Sequence, residues 1–182
     1  LKKREEAKVV GAAVYKDTEN ILPLFAMQAA LGGVAFCASQ EKTALILTGG
    51  EISAEWLLEQ VSQIQQKAGQ FVVFDLKNVI AELPIENRAN CFDATGAAYL
   101  LNPLKIDYMY EDVAREQLGL MIDEKADGRT KACYEAYTAF AAKEPLENRL
   151  KDTKSWELFE NIEMPLVFTL YEMEQNGVKV EA

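Results

Sequence analysis

The chain contains no histidine among its 182 residues. That absence excludes Ser-His-Asp and Cys-His nucleophilic chemistry, and every site in which imidazole ligates zinc, haem or copper. Any metal chemistry must run on carboxylates holding a hard cation such as magnesium or manganese. Cysteine is scarce as well. Cys37, Cys91 and Cys133 stand far apart with no CxxC pair, which indicates neither a disulfide framework nor a zinc site, and they read as small buried hydrophobes in a reducing compartment. No apolar run approaches the roughly 18 residues of a membrane span. The opening Leu1–Glu6 is charged at once and lacks the apolar core of a signal peptide. A cytoplasmic protein without a membrane partner is the expectation. Positive charge is also short: 19 Lys and Arg face 29 Asp and Glu, a formal net charge of -10. Such a chain does not condense DNA or coat an anionic membrane through its own field. The Lys2-Lys3-Arg4 run reads as a solvated tail. The sequence opens at Leu1 and closes at Ala182 directly behind a hydrophobic pattern, as expected of a piece of a longer protein.

What is present suits one globular domain, because 49% hydrophobic residues suffice for a core of its own. Lys8–Tyr15, Gly32–Ala38 and Thr43–Leu47 read as strands, the last two joined as a hairpin, with Gly49-Gly50 as punctuation. The stretch from Ile21 to Ala30 is open between loop and short helix. Ser53–Ala68 is a helix, capped by Ser53 and closed by Gly69, with Leu57, Val61, Ile64 and Ala68 on one stripe and Trp56 packed beside it. Phe71–Phe74 is a continuous apolar strand of the kind helices cover on both faces. Helical spacing resumes from Asp75 to Leu83, and a very short strand at Asn90–Phe92 leads to Asp93, which caps a helix through Leu101. Tyr110–Leu118 and Arg129–Lys143 are further helices. Asp152 or Thr153 opens a last helical region reaching Asn176, in which Pro165 marks a kink or a fresh start. An antiparallel opening followed by βα units implies an α/β fold: a mixed sheet with helices on both faces and a helical C-terminal extension.

Three passages are more specific than periodicity. Phe92–Pro103 reads FDATGAAYLLNP and is followed by Tyr108–Gly119, YMYEDVAREQLG; Asn161–Val180 reads NIEMPLVFTLYEMEQNGVKV; and Phe74–Leu83 reads FDLKNVIAEL. Taken in their order along the chain they resemble the bacterial DNA polymerase I family, the first and third named its 3'–5' exonuclease domain and the second the entry into its polymerase domain. The resemblance implies an RNase H-like five-stranded fold over residues 1–150 and a junction over 151–182. In that family an active exonuclease holds two divalent ions with four carboxylates from three motifs, assisted by a tyrosine. Cations roughly 4 Å apart then stabilise both the attacking and the leaving oxygen.

Carried over residue by residue, the resemblance puts Ala13 and Tyr15 where the first motif has Asp and Glu. It puts Val79 at the aspartate of the second motif, and Lys131 and Glu135 at the tyrosine and aspartate of the third. Only Glu135 keeps a carboxylate, which predicts a vestigial site without catalytic residues, bound cofactor or metal. The resemblance then implies an exonuclease-like domain that has lost proofreading and supports the polymerase domain in cis during replication or repair synthesis, reaching DNA through the parent enzyme. A rival register uses the literal Asp17-Thr18-Glu19 with Asp75, Asp93 and Glu135, and implies an active exonuclease requiring Mg2+ or Mn2+. Asp75 and Asp93 also sit where helix caps belong. A third reading, a protein-interaction module on the same fold, is disfavoured by the polymerase-entry helix, whose apolar stripe Ile162, Leu166, Leu170 and Met173 would be under-packed without a covering domain.

Overall fold

The computed structural model describes residues 9–17, 29–105 and 108–177. Its sheet has the order β3-β2-β1-β4-β5, built from β1 (Val9–Lys16), β2 (Leu31–Ser39), β3 (Lys42–Leu47), β4 (Gln70–Val73) and β5 (Cys91–Asp93). β1 pairs antiparallel with β2 and parallel with β4. The hairpin expected between the second and third strands is formed, and Gly49 and Gly50 turn the chain at positive φ, where glycine carries no steric penalty. Most of the uncertain Ile21–Ala30 stretch, and Glu19 with it, lies outside the described residues.

Alternation along β1 separates two cores. Val10 and Ala12 join a large cluster with Leu57 and Val61 of α1 (Ala54–Lys67) and with Phe71, Val72 and Val73 of β4. Ala13 and Tyr15 face the other way, in a small cluster with Ala132 and Ala136 of α5 (Gly128–Asp152). Helices therefore cover both faces, as the mixed pattern implies. The approach of α5 to the sheet is close: a Cβ on Gly11 would stand 2.2 Å from the Ala136 carbonyl oxygen, so only glycine fits there.

The first helix keeps its expected cap, the Ser53 hydroxyl accepting from the Trp56 N–H at 3.1 Å. Trp56 itself is 47% exposed rather than packed beside the stripe. α1 also buries a polar residue. Gln65 accepts from the Glu86 and Asn87 N–H groups and donates to the Asn87 carbonyl and to Asn90, pinning α1 to the 3-10 turn at Arg88–Asn90. The fully buried side chain is thereby satisfied on both its amide ends.

Two helix boundaries differ from the sequence reading. α5 does not stop at Lys143 but runs through Pro145 to Asp152. Proline removes one helical hydrogen bond, and the fully buried Leu146 and Leu150 beyond it hold the helix on. Asp152 and Thr153 accordingly close a helix instead of opening one, and Lys154 turns the chain at φ 60°. The last region is broken as Pro165 suggested: α6 (Trp156–Leu158), a π turn (Phe159–Glu163) and α7 (Met164–Asn176), with Pro165 in the first turn of α7. Phe159, Met164 and Phe168 from this tail are buried in the main core. No described helix is long and apolar enough to cross a membrane.

Candidate functional site at the end of the central strands

Four elements bring polar groups to one end of the sheet: α2 (Leu76–Glu82), α3 (Ala94–Leu101), α4 (Tyr110–Leu118) and α5. Asp75 follows β4 and caps α2, accepting from the Asn78 N–H at 3.4 Å and the Asn78 side-chain amide at 2.5 Å. It adopts the left-handed region at φ 50°, which a short polar side chain tolerates better than most. Asp93 ends β5 and caps α3. It is buried, accepting from the Thr95 N–H at 3.0 Å and the Leu76 N–H at 3.3 Å. Its two oxygens thus tie the start of α2 to the start of α3. Burial pushes its pKa up to about 6, against the pull of those N–H groups.

Glu135, which the resemblance sets at the aspartate of the third motif, is partly buried on α5. Burial raises its pKa to about 7, and the nearby charges of Glu111 and Asp75 push the same way. Glu111 is the group that sequence reasoning missed. One of its carboxylate oxygens is sealed from solvent, as is the hydroxyl of the neighbouring Tyr110, only 7% exposed. Burial, followed by the charge of Glu111, a hydrogen bond to its carboxylate and the charge of Glu135, holds that phenol far above its ordinary range. The only sequence signal for Glu111 was its place in the YEDVA passage; an acid in a helix first turn otherwise reads as a favourable partner of the helix dipole.

The remaining positions form a different environment. Ala13 is buried against α5, and Tyr15 is 5% exposed. The Tyr15 ring is boxed in by two glycines: a Cβ on Gly32 would lie 2.9 Å from it, and one on Gly128 3.2 Å. The Arg129 guanidinium stands 6.0 Å from the ring centroid, within range of a cation–π attraction. Asp17, exposed at the end of β1, lines a pocket beside Tyr15 and Arg129. Val79 is buried in the main core, on the helix that Asp75 caps. Lys131 and Glu135 lie one turn apart on α5, both partly buried, and Tyr134 and Tyr137 are likewise half-buried.

The structure therefore joins Asp75, Asp93 and Glu135 of the rival set through mutual repulsion and adds Glu111. Glu19 of that set lies outside the described residues. Among the described residues, no group of three Cys, Asp or Glu is arranged to hold a metal ion. The described donor set does not fit a pair of divalent cations, which require several oxygens converging on each ion.

No family model matches the chain. It is 33% identical to DNA polymerase I of Bacillus subtilis over 157 residues, 75% of this chain and 17% of that protein. To DNA polymerase I of Caldicellulosiruptor bescii it is 30% identical over 146 residues, 78% of this chain and 16% of that protein. In fold it resembles the POL domain of Pol1 from M. smegmatis, solved with DNA primer-template and dNTP, at a TM-score of 0.74 and 19% identity, over 97% of this chain and 30% of that one. It is also similar to Brucella melitensis NrnC bound to pGG, at a TM-score of 0.69 and 14% identity, over 97% of this chain and 91% of that one. The fold is thus RNase H-like and shared with exonucleases. The chain belongs to the bacterial DNA polymerase I family as an exonuclease-like segment, spanning about a sixth of the length of the curated relatives it matches.

Proposed function

We propose that this segment is a 3'–5' exonuclease-like domain that no longer proofreads and that supports the polymerase domain of its parent in cis. Residues 1–150 would form the degenerate domain and 151–182 the junction. The observation that carries the loss of activity is the packing of Ala13 and Tyr15. Where the family resemblance calls for two metal-ligating carboxylates, the structure has buried apolar volume, with Gly32 and Gly128 leaving room for the Tyr15 ring. Water and a hydrated cation gain nothing in such a pocket. Val79, also buried, extends the same replacement to the second motif.

The supporting role draws on the π turn and α7. Ile162, Leu166, Leu170 and Met173 are 55%, 41%, 42% and 60% exposed and recur at helical spacing as one apolar face. A continuous exposed stripe of this kind suits a protein neighbour better than water. The relatives' additional length offers that neighbour, a polymerase domain in the same polypeptide. DNA would then be reached through the parent enzyme, in the cytoplasm.

The second reading, an active two-metal exonuclease, is favoured by one observation. The repulsion among Glu135, Glu111 and Asp75 is the kind that a divalent cation relieves. Titration calorimetry with manganese, in the presence and absence of a short single strand, separates the two. The vestigial reading expects no saturable heat beyond that of a Glu135→Gln variant. Saturable binding lost in that variant would favour the metal site and overturn it.

A further inference from the structure

The two edges of the sheet are built differently. One is β5, only three residues long, ending in Asp93 and with α7 beside it. The other is β3, six residues reading KTALIL, with no proline and a single charge, Lys42, at its hairpin end. The irregularity in its pairing with β2 lies at that end too, between Cys37 and Ser39. Short length, proline, bulges and inward charges are the usual means of keeping an edge strand from pairing, and none of them interrupts residues 43–47.

Which backbone groups β3 offers follows from its register. The Thr48 N–H donates to the Gly32 carbonyl at 2.9 Å, and further along the same pair Ile46 stands opposite Val34 and Ala44 opposite Phe36. In an antiparallel pair, opposed residues alternate between exchanging both hydrogen bonds and exchanging none. Ala44 and Ile46 are therefore bonded to β2, while the N–H and C=O groups of Thr43, Leu45 and Leu47 point away from it. Among the described residues no backbone group bonds to that outer row. The side chains are not sealed either: Thr43, Leu45, Ile46 and Leu47 are half-buried and Ala44 is exposed.

A second copy of the chain matches this row. Opposed residues in a sheet share a face, so outward-bonded residues must meet outward-bonded residues. A register centred on Leu45 engages all three on each chain: Leu45 meets Leu45, and Thr43 and Leu47 meet each other. On the face toward α5, where Leu45 and Leu47 pack, the new neighbours are leucine and threonine. On the other face the exposed Ala44 meets Ile46, which packs on the main core. Lys42 falls opposite Thr48, so no like charges are opposed although each chain carries a net charge of -10. A two-fold axis through Leu45 makes the row complementary to itself, as a closed dimer requires.

We propose that β3 is a dimer interface: two copies of this chain pair β3 with β3, antiparallel about Leu45, and join their five-stranded sheets into one. The dimer goes beyond the proposed function. It uses the edge opposite the one beside α7 and leaves the apolar face of α7 free for a polymerase domain in cis.

Sedimentation equilibrium and amide exchange on the full chain test it. A monomer–dimer equilibrium is expected within the micromolar range. Thr43→Pro removes an outward N–H without touching a bond to β2, and should weaken the dimer roughly thirtyfold through two symmetry-related hydrogen bonds. Leu166→Asp combined with Leu170→Asp, on α7, should leave it unchanged. In the unaltered chain, the amide protons of Thr43, Leu45 and Leu47 should exchange more slowly as concentration rises, whereas those of Ala44 and Ile46 are protected throughout. This second readout stands even if Thr43→Pro unfolds. A chain that stays monomeric throughout the micromolar range, a dimer lost on the α7 changes and kept in Thr43→Pro, or outer-row amides whose exchange ignores concentration would overturn the dimer.

Discussion

The two sides of the candidate site differ in opposite ways. On the strand side, Ala13 and Tyr15 are neutral, buried and closely packed under α5. On the helix side stand four carboxyl groups: Asp75 repels both Asp93 and Glu135, Glu111 repels Glu135, and one Glu111 oxygen is sealed from solvent. The difference reflects what each position can do without a cation. A strand residue facing a helix gains stability from apolar volume, so replacing a carboxylate there is favourable. Asp75 and Asp93 cap helices and bind backbone N–H groups, so removing them loses a cap as well as a charge. Glu135 has no such second duty among the hydrogen bonds of the described residues, and it bears the burial penalty.

Removing the ring from the neutral half should have the largest effect. Tyr15→Ala is expected to cost roughly 3–5 kcal/mol, the usual range for truncating a buried aromatic, measured by urea unfolding. A cost under about 1 kcal/mol would mean that the ring does not fill the site.

Neutralising the acid half should do the reverse. A carboxyl group whose pKa rises on folding is protonated in both states at low pH and imposes no penalty there. As pH climbs from the ordinary value of 4.5 towards about 7, the unfolded chain ionises first and native stability falls; above that the penalty is complete. Glu135→Gln should therefore leave stability at pH 4 nearly unchanged and raise it at pH 8 by roughly 2–3 kcal/mol, an upper range set by the size of the shift. Equal effects at both pH values would show that the buried charge is not the cause.

The finest test of the contrast is Asp75→Asn. The amide keeps one oxygen for the Asn78 N–H and tolerates the left-handed backbone, and its NH2 can donate to Asn78 once that side-chain amide turns over, so the charge facing Glu135 and Asp93 is the main loss. Carbon-13 titration of the Glu135 carboxyl should show its midpoint moving down, with a stability gain of a few tenths of a kcal/mol at neutral pH. An unmoved midpoint would separate Asp75 from the cluster.

Much of the fold was legible because its signals are local. The apolar run at Phe71–Phe74, the caps at Ser53, Asp75 and Asp93, and the Gly49-Gly50 turn each act within a few residues. The length of α5 was not, because Pro145 is a strong local stop and what overrides it, the burial of Leu146 and Leu150 in the main core, is tertiary. The site divides likewise. Ala13, Tyr15 and Val79 were singled out by the family resemblance alone, whereas Glu111 joins Glu135 only through the packing of α4 on α5, which no spacing within either helix reveals.

The central claim is that the neutral half has ended the chemistry. It is tested most directly by incubating the chain with manganese and a single-stranded oligonucleotide labelled at its 5' end. The account predicts that the strand stays at full length, no shorter than with the Glu135→Gln variant. A ladder of products shortened stepwise from the 3' end, and abolished by that variant, would contradict it.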